Sequence, residues 1–221
     1  MKIVAFVPIR LNSKRVAGKN LKLLGNKPLM SYILKTLVNV KQIAEVYVYC
    51  STEDIKQYLP EGVKFLKRNK KFDSDETLGA EIYEAFINEI DADIYILAHT
   101  TSPFVKSTTI EKAIEQMQTG EYDSALTVEK LQTFAWYDNK PINYSLNLIP
   151  RTQDIKPVFI ETSAFFMFTK ALWKEKKQRI GSNPYFAIVN KIEGLDIDTP
   201  QDFEFATKII DTYPNYGDRE E

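Results

Sequence analysis

Cysteine and histidine are almost missing from this sequence, which has one of each in 221 residues. One thiol cannot form an internal disulfide, and with a single histidine it cannot build a Cys/His zinc site. A chain of this length buries about 70–75% of the surface that it would expose when unfolded, so it needs neither kind of crosslink. The sequence therefore predicts one domain, residues 1–221, held together by an ordinary apolar core.

Long apolar runs are also missing. None approaches the roughly 18 residues that a membrane-spanning helix needs. The apolar stretch of residues 3–9 runs directly into Arg10, without a cleavage-type sequence. We therefore expect a soluble, cytoplasmic protein that does not bind a membrane.

The chain as a whole has almost no net charge, but its two ends are strongly charged with opposite signs. The 29 basic and 30 acidic residues give a net charge of −1. Residues 1–44 hold nine basic residues and no acidic one, whereas residues 193–221 hold nine acidic residues against two basic ones. Such an asymmetry is typical of proteins that bind nucleic acid, membranes or acidic ligands. Nucleic acid is disfavoured, because no stripe of basic and aromatic residues accompanies the charge.

Apolar, strand-like runs alternate with amphipathic helical segments along most of the chain. This alternation favours an α/β fold with a single doubly wound, mostly parallel sheet and helices on both of its faces. The predicted strands are residues 2–9, 45–50, 63–66, 93–98, 124–128, 165–168 and 185–189. Three predicted helices begin at Pro28, at Ser51 or Thr52, and at Asp75 or Thr77. Three more are predicted at residues 107–117, 170–177 and 200–212.

The alternation is interrupted at residues 131–162. This segment contains Pro141, Pro150 and Pro157 together with five aromatic residues, and it has no clear helical period. A stretch of this length without regular structure is uncommon inside a compact domain, so we expect its aromatic residues to pack against something. A second subunit and an active-site flap of the same chain are equally good candidates.

The first candidate site is the basic loop that follows the first strand. In an open α/β sheet, ligands bind beyond the carboxyl ends of the strands. Cations and polar side chains together suit a polyphosphate, although a solvated basic loop is an equal alternative. The loop has the spacing of neither a Walker loop nor a dinucleotide site. Its polar residues are Arg10, Ser13, Lys14, Arg15, Lys19 and Asn20.

The second candidate site is the pair Asp196 and Asp198, which we expect at the end of a strand just before the last helix. Side chains two residues apart on an extended segment point the same way. Two carboxylates placed so can hold Mg²⁺, with water and phosphate oxygens as its other ligands. Capping of the following helix is the alternative role for Asp198 or Thr199.

The third candidate site is the strand end at residues 99–104, which carries the only histidine and three hydroxyl side chains. These groups could bind a polar substrate, although a structural role for His99 is the more common case. The lone His99 has no sequence signature of a catalytic triad. Cys50, at the end of the second strand, is expected to pack in the core.

These motifs together resemble those of the CMP-sialic acid synthetase (acylneuraminate cytidylyltransferase) family. That family opens with approximately Pro-Ala-Arg-Gly-Gly-Ser-Lys-Arg-Ile-Pro-Gly-Lys-Asn, similar to Pro-Ile-Arg-Leu-Asn-Ser-Lys-Arg-Val-Ala-Gly-Lys-Asn at residues 8–20. Its Gln-Pro-Thr-Ser-Pro is similar to residues 99–103, and its Asp-x-Asp-Thr-Pro-x-Asp to residues 196–202. The matches come in the same order and span nearly the whole chain. Lys14 and Asn20 place the chain nearer the sialate branch than the Kdo-type synthetases.

The resemblance implies a nucleotidyltransferase-type, Rossmann-like domain that uses CTP, an acidic sugar and Mg²⁺. It implies that CTP is bound by Arg10, Ser13, Lys14, Lys19, Asn20, Arg68 and Thr77. It implies that the sugar is bound by His99, Thr101, Ser102, Arg151, Gln153 and Phe166. The implied metal ligands are Asp196 and Asp198, which with Lys19 are also the implied catalytic residues. Residues 131–162 correspond to the dimerisation excursion of a homodimer, whose residues also reach the partner's active site.

Some positions differ from the family pattern. The nucleotide and metal positions are better kept, so CTP as donor is more secure than sialic acid as acceptor. The differing positions are Leu11 and Asn12 for two glycines, Ala17 for proline, His99 for glutamine, Val105 for arginine, and Thr162 with Ser163 for Asn-Gly.

The implied reaction is attack by a hydroxyl of sialic acid or a related nonulosonate on the α-phosphorus of CTP, which releases pyrophosphate. No residue stands out as its general base. One alternative is a cytidylyltransferase for another acceptor, such as a Kdo-like sugar acid or a phosphonate. A nucleotide-sugar glycosyltransferase is a second, because its Asp-x-Asp also binds metal, and a catalytically silent nucleotide-binding subunit is a third.

Overall fold

A seven-stranded sheet forms the centre of the molecule, in the order β11-β7-β10-β6-β1-β4-β5. The computed structural model describes residues 1–11, 13 and 15–213. The strands of the sheet are β1 (Ile3–Ile9), β4 (Glu45–Cys50), β5 (Val63–Lys67), β6 (Ile94–Ala98), β7 (Ser124–Leu131), β10 (Val158–Thr169) and β11 (Pro184–Val189). Two short hairpins lie outside it, one formed by β2 (Leu23–Leu24) and β3 (Lys27–Pro28), the other by β8 (Trp136–Tyr137) and β9 (Lys140–Pro141).

Helices connect the strands and cover both faces of the sheet. They are α1 (Leu29–Asn39), α2 (Gly79–Glu89), α3 (Ser107–Gln118), α4 (Lys170–Lys176) and α5 (Pro200–Thr212). Apolar residues of α1 and α3 pack on one face, whereas those of α2 and α4 pack on the other. Within the described ranges, no helix is both long enough and apolar enough to cross a membrane.

The sheet is mostly parallel, as the alternation predicts. β1 pairs in parallel with β4 and β6, and two further parallel pairs join β4 to β5 and β11 to β7. Only β10, among the strands of the described sheet, runs antiparallel to its two neighbours, β6 and β7. The carboxyl ends of β1, β4, β5 and β6 therefore meet at one edge, where an open α/β sheet binds its ligands.

Both faces of β1 are buried, which explains its continuous run of apolar residues. The predicted apolar face of α1 is likewise buried, as Leu29, Ile33, Leu34 and Leu37 have no exposed surface. Cys50 lies in the same core as α1, and its burial raises the pKa of the thiol. The expected packing role of this cysteine is confirmed.

One predicted helix start is wrong, and a second predicted helix starts after Thr52 as expected but is not an α-helix. Neither Asp75 nor Thr77 caps α2, because the helix begins later, and the backbone N–H of Leu78 donates to the carboxylate of Glu81 at 2.8 Å. The segment after Thr52 forms a short 3-10 helix, Glu53–Tyr58, rather than an α-helix.

The interruption at residues 131–162 holds more regular structure than its composition predicts. It contains the β8–β9 hairpin and a 3-10 turn at Thr152–Asp154. Its last residues form the start of β10, a strand of 12 residues that pairs with β7 on both sides of a bulge. Ser163 sits in this bulge with φ of 58°, a left-handed conformation in a position where the resembling family has glycine.

Candidate active site

A cavity of about 420 Å³ opens at the carboxyl edge of the sheet, beyond β1 and β6. It brings together the first and third candidate sites of the sequence, because the basic loop and the residues after β6 form its walls. Its lining residues are Pro8, Arg10, Ser13, Arg15, Lys19, Asn20, His99, Thr100 and Thr101.

Asp198 joins the acidic end of the chain to this basic loop. Nη1 of Arg15 lies 2.9 Å from one of its carboxylate oxygens, and Nζ of Lys19 lies 3.5 Å from the other. Lys19 also donates to the backbone carbonyl of Ile197 at 2.6 Å and is almost entirely buried. Two cations thus converge on one carboxylate beside the cavity, although Lys19 and Asp198 are 179 residues apart in the sequence.

The two aspartates lie on a loop and not at the end of a strand, so that part of the prediction is wrong. β11 ends at Val189, and a turn separates it from Asp196. The loop is held against the segment that follows β6 by a backbone hydrogen bond of 2.8 Å, which Ile197 donates to Thr101. Because Ile197 lies between the two aspartates, this bond places them at the carboxyl edge of the sheet, where we had expected a strand end to place them.

Helix capping does not occupy Asp198. The side chain of Thr199 accepts a hydrogen bond from the backbone of Asp202, and the Asp202 carboxylate accepts from the backbone N–H groups of Asp198 and Thr199. This reciprocal pair of bonds is a capping box that satisfies the start of α5. The carboxylates of Asp196 and Asp198 therefore remain available to a ligand.

Asp196 has the properties of a cation ligand. Its Oδ1 atom is buried and has no hydrogen-bond partner among the described residues. Burial raises the pKa of Asp196, a hydrogen bond with Thr101 opposes that rise, and the charge of Asp198 adds to it. A buried carboxylate oxygen without a partner is costly unless a cation approaches it. The two aspartates therefore fit a hard divalent cation, which prefers carboxylate oxygens.

Asn20 and Thr100 tie the two walls of the cavity together. The Asn20 side chain donates to the backbone carbonyl of Arg10 at 2.8 Å and accepts from the Thr100 hydroxyl at 2.6 Å. The sequence prediction included Asn20 among the site residues, but it left Thr100 and Arg15 out of its final set. Both residues could have been included from the sequence, because each lies inside a segment that was already a candidate site.

A second cavity of about 260 Å³ shares Pro8 and Arg10 with the first. Arg68 is 2% exposed and donates to Asp73 at 2.6 Å, while Arg10 donates to the backbone carbonyl of Asp73 at 3.2 Å and to Asp75 at 2.8 Å. The predicted residues Arg68 and Thr77 therefore line a space next to the basic loop. The full lining is Pro8, Arg10, Arg68, Phe72, Ser74, Asp75, Thr77, Gly79 and Ile82.

His99 lines the first cavity as a neutral side chain. Its Nδ1 atom lies 2.5 Å from the backbone carbonyl of Ser163, which can only accept, so Nδ1 carries the proton. Burial lowers the pKa of His99, the Ser163 carbonyl opposes that effect, and the charge of Arg179 adds to it. The other ring nitrogen, Nε2, is then a hydrogen-bond acceptor.

Two of the residues predicted to bind the sugar do not line the described cavities. Phe166 is fully buried and packs in the core between the sheet and helices α2 and α4. Ser102 is also fully buried, and its hydroxyl has no partner among the described residues. Both are too deep to contact a sugar, because their positions on or beside β6 and β10 direct them into the core.

Two further predicted residues are not brought to the cavity within one chain. Arg151 and Gln153 are exposed on the interruption, where Arg151 pairs with Asp154 at 2.7 Å. Lys14 lies outside the described residues, as does Asn12. A role for Arg151 and Gln153 at an active site would require a second subunit.

The comparison with known protein families identifies the chain. The model of a family described as Cytidylyltransferase matches residues 4–218. This chain belongs to the cytidylyltransferase family. The match covers nearly all of the chain, including the basic loop, the segment after β6 and the two aspartates, so the resemblance seen in the sequence is confirmed.

The chain is also similar in sequence to individual cytidylyltransferases and CMP-sugar synthases. The N-acylneuraminate cytidylyltransferase of Escherichia coli O18:K1:H7 (strain RS218 / NMEC) is 29% identical, over 99% of this chain and 56% of its own length. The CMP-N,N'-diacetyllegionaminic acid synthase of Legionella pneumophila subsp. pneumophila (strain Philadelphia 1) is 26% identical, over 96% of this chain and 97% of its own length. The chain spans about half the length of the N-acylneuraminate cytidylyltransferases that it matches.

The fold of this cytidylyltransferase is also found in a solved structure, that of a CMP:2-keto-3-deoxy-manno-octonic acid synthetase complexed with CTP. The two share 16% sequence identity with a TM-score of 0.70, over 96% of this chain and 99% of the other. At this identity, the likeness shows the fold alone. It confirms the predicted nucleotidyltransferase-type α/β sheet.

Proposed function

We propose that this chain transfers CMP from CTP to an acidic sugar and releases pyrophosphate. The observation that carries the proposal is the meeting of Arg15 and Lys19 with Asp198 at the carboxyl edge of the sheet, beside the buried oxygen of Asp196. A nucleoside triphosphate bound with a divalent cation needs both signs of charge in one place. Membership of the cytidylyltransferase family favours CTP as that triphosphate.

The basic loop is the proposed site for the phosphates of CTP. Lys19 is held in place by the carbonyl of Ile197, so its ammonium group is already fixed beside the cavity. Arg10, Ser13 and Asn20 line the same cavity, and Arg68 and Thr77 line the adjoining one, which we assign to the rest of the nucleotide. Phosphoryl-type transfer depends on positioning and charge neutralisation more than on covalent help from the protein. These cations would stabilise the departing pyrophosphate.

Asp196 and Asp198 are the proposed ligands of Mg²⁺, and a bound Mg²⁺ would polarise the α-phosphate and lower the pKa of the attacking hydroxyl. Asp196 supplies the oxygen without a hydrogen-bond partner. Asp198 supplies carboxylate oxygens whose charge Arg15 and Lys19 balance in the structure. The same two cations lie where they could also contact the phosphates of CTP.

The proposed acceptor is sialic acid or a related nonulosonate. The names of two relatives, an N-acylneuraminate cytidylyltransferase and a diacetyllegionaminic acid synthase, support this class. His99 and Thr101 line the cavity and can bind a polar acceptor. A different sugar acid, such as a Kdo-like one, is the second candidate, because His99 and Ser163 depart from the sialate pattern and Phe166 is buried.

We also propose a homodimer. Several large apolar side chains of the interruption are exposed, and such side chains favour burial against another subunit. A partner's interruption would bring Arg151 and Gln153 toward the active site. The exposed apolar residues are Trp136, Tyr137, Ile142, Leu146, Leu148 and Ile149.

A pyrophosphate-release assay tests the proposed function. The protein is incubated with CTP, Mg²⁺ and, one at a time, sialic, pseudaminic, legionaminic and Kdo-type acids. We expect release that depends on one of these acids and that UTP or GTP does not replace CTP. Binding of CTP without release for any acid would favour the silent subunit, and consumption of a nucleotide sugar would favour the glycosyltransferase.

A further inference from the structure

A third cavity, of about 330 Å³, lies between α2 and α4. Of its residues, only Gly79 also lines a cavity described above, the one that contains Arg68, so the two cavities adjoin. We call it the Arg179 cavity. Its lining residues are Gly79, Ala80, Tyr83, Trp173, Lys177 and Arg179.

Arg179 is a half-buried cation that no acidic side chain of the described residues neutralises. Nη1 donates to the hydroxyl of Tyr83 at 3.2 Å, and the guanidinium carbon lies 3.7 Å from the centre of the Phe166 ring. The neighbouring Lys177, by contrast, pairs with Glu84. A charge withdrawn from water needs a partner, so a stacked and fixed guanidinium without a carboxylate indicates that a ligand supplies one.

The walls of the cavity are shaped around this guanidinium. A side chain at Gly79 would place its Cβ 2.6 Å from the hydroxyl oxygen of Tyr83, so the hydroxyl that orients Arg179 would have to shift. The ring of Tyr83 contacts Trp173 edge to face, with 6.2 Å between the ring centres. A cavity with aromatic walls and cationic donors selects an anionic group, a carboxylate or a phosphate, on a partly apolar body.

Phe166 connects this cavity to the proposed active site. The ring of His99, which lines the first cavity, lies 6.1 Å from the centre of the Phe166 ring, and Arg179 stacks on the face of the same ring. His99 and Arg179 therefore both contact the Phe166 ring, which places a cation close to the wall of the first cavity. The buried Phe166, predicted to face the sugar, acts instead as the platform that positions Arg179.

We propose that the Arg179 cavity binds an anionic group of the acceptor sugar and that Arg179 determines the preference for acidic acceptors. This inference rests on the proposed function, because it takes the acceptor to be a sugar acid. Tyr83 and Phe166 are positioning residues for the guanidinium. The acid contacts Arg179 through charge-assisted, two-pronged hydrogen bonds, which lysine cannot reproduce.

A binding experiment that needs neither CTP nor turnover tests the cavity. The protein has two tryptophans, Trp136 and Trp173, so a Trp136→Phe protein reports on Trp173 alone. We expect its fluorescence to change saturably with at least one of N-acetylneuraminate, a legionaminic acid and a Kdo-type acid. In this protein, Arg179→Gln should weaken that binding about 10-fold or more, and Arg179→Lys should restore it only in part.

Lys174→Gln is the matched control, since it removes an exposed cation from α4, shortly before Arg179 in the sequence but outside the cavity lining, and it should leave the binding unchanged. Tyr83→Phe keeps the charge of Arg179 and removes only the hydroxyl, so an intermediate loss is expected. Equal binding by the wild type and Arg179→Gln would overturn the proposal. A response to inorganic phosphate but to no sugar acid would overturn it as well.

Steady-state kinetics separate this inference from the proposed function. With an acid that supports pyrophosphate release, Arg179→Gln should raise KM for the acid and leave KM for CTP unchanged. Normal KM for the acid would overturn the role of Arg179 while the proposed function stood. Binding of acids that depends on Arg179, together with no pyrophosphate release, would support the cavity and refute the proposed function.

Discussion

At the residue scale, the site depends on which partners its charged groups have. Asp198 holds two cations, and Asp196 keeps one buried oxygen without a hydrogen bond among the described residues. The sequence predicts both aspartates and Lys19, because their motif and spacing are local. It could not predict the partnership of Arg15 with Asp198, nor the burial of Phe166, because both depend on which distant segments the sheet brings together.

Asp198→Asn should lower turnover by about 100-fold or more, equivalent to about 3 kcal/mol, because it removes a proposed metal ligand and the partner of two cations. The fold should survive, since Thr199 and Asp202 cap α5. Turnover and Tm are measured together, with Asp211→Asn on the exposed side of α5 as control. Near-normal turnover by Asp198→Asn would sink the metal assignment.

Lys19→Ala should weaken CTP binding by about 10-fold or more, because a charge-assisted hydrogen bond to a phosphate is lost. Titration calorimetry with CTP gives the affinity directly. Lys41→Ala removes an exposed cation from the same basic end of the chain and should bind CTP normally. If Lys19→Ala also binds CTP normally, the basic loop does not have its proposed role.

At the scale of elements, the sequence predicts the helices and strands whose apolar residues repeat with a regular period. The bounds of α5 and the buried face of α1 agree with their apolar periods. The first part of β10 is not predicted, although residues 165–168 are, because its first residues follow Pro157 and include the polar bulge, and only pairing with β7 makes them a strand. Its antiparallel direction likewise follows from the path of the chain and not from its own residues.

Glu45 provides a test at this scale, where β1, β4 and β5 lie side by side. Hydrogen bonds from Lys2 and then Lys64 lower the pKa of Glu45 to about 2. A carboxylate with a lowered pKa stabilises the fold above its unfolded value of roughly 4.3, and this contribution is lost as the pH falls toward 2. Glu45→Gln should therefore lower the free energy of unfolding by about 1 kcal/mol at pH 7, the upper range for an exposed pair, and by almost nothing near pH 2.

Urea unfolding of both proteins at several pH values measures this difference. Glu61→Gln, at an exposed position before β5, is the control and should show no such trend. A difference between the wild type and Glu45→Gln that stays constant from pH 7 to 2 would show that the pairs with Lys2 and Lys64 contribute nothing.

At the scale of the whole molecule, the charge asymmetry of the sequence becomes a single feature. The basic residues 1–44 and the acidic residues 193–213 meet where Lys19 contacts Asp198. The near-zero net charge therefore results from two opposite charges that one site brings together. Composition could predict the asymmetry, but only the doubly wound sheet places both ends of it at one edge.

The proposed homodimer is also a property of the whole molecule. Leu148 is 79% exposed and Tyr137 is 77% exposed on the interruption. Sedimentation velocity should show a dimer for the wild type and a monomer for Leu148→Asp, because a charge in an apolar interface is not solvated. Leu23→Asp, at an exposed apolar position on β2, should leave the dimer intact. A monomeric wild type would refute this arrangement.

The most direct test of the central claim follows the CMP group itself. The protein is incubated with CTP, Mg²⁺ and the sugar acid that gives pyrophosphate release, and the products are identified by mass spectrometry and ³¹P NMR. We predict one CMP-sugar, joined through a single phosphodiester, for every pyrophosphate released. Free CMP with an unchanged acid, or no conversion of CTP with any acid, would contradict the account.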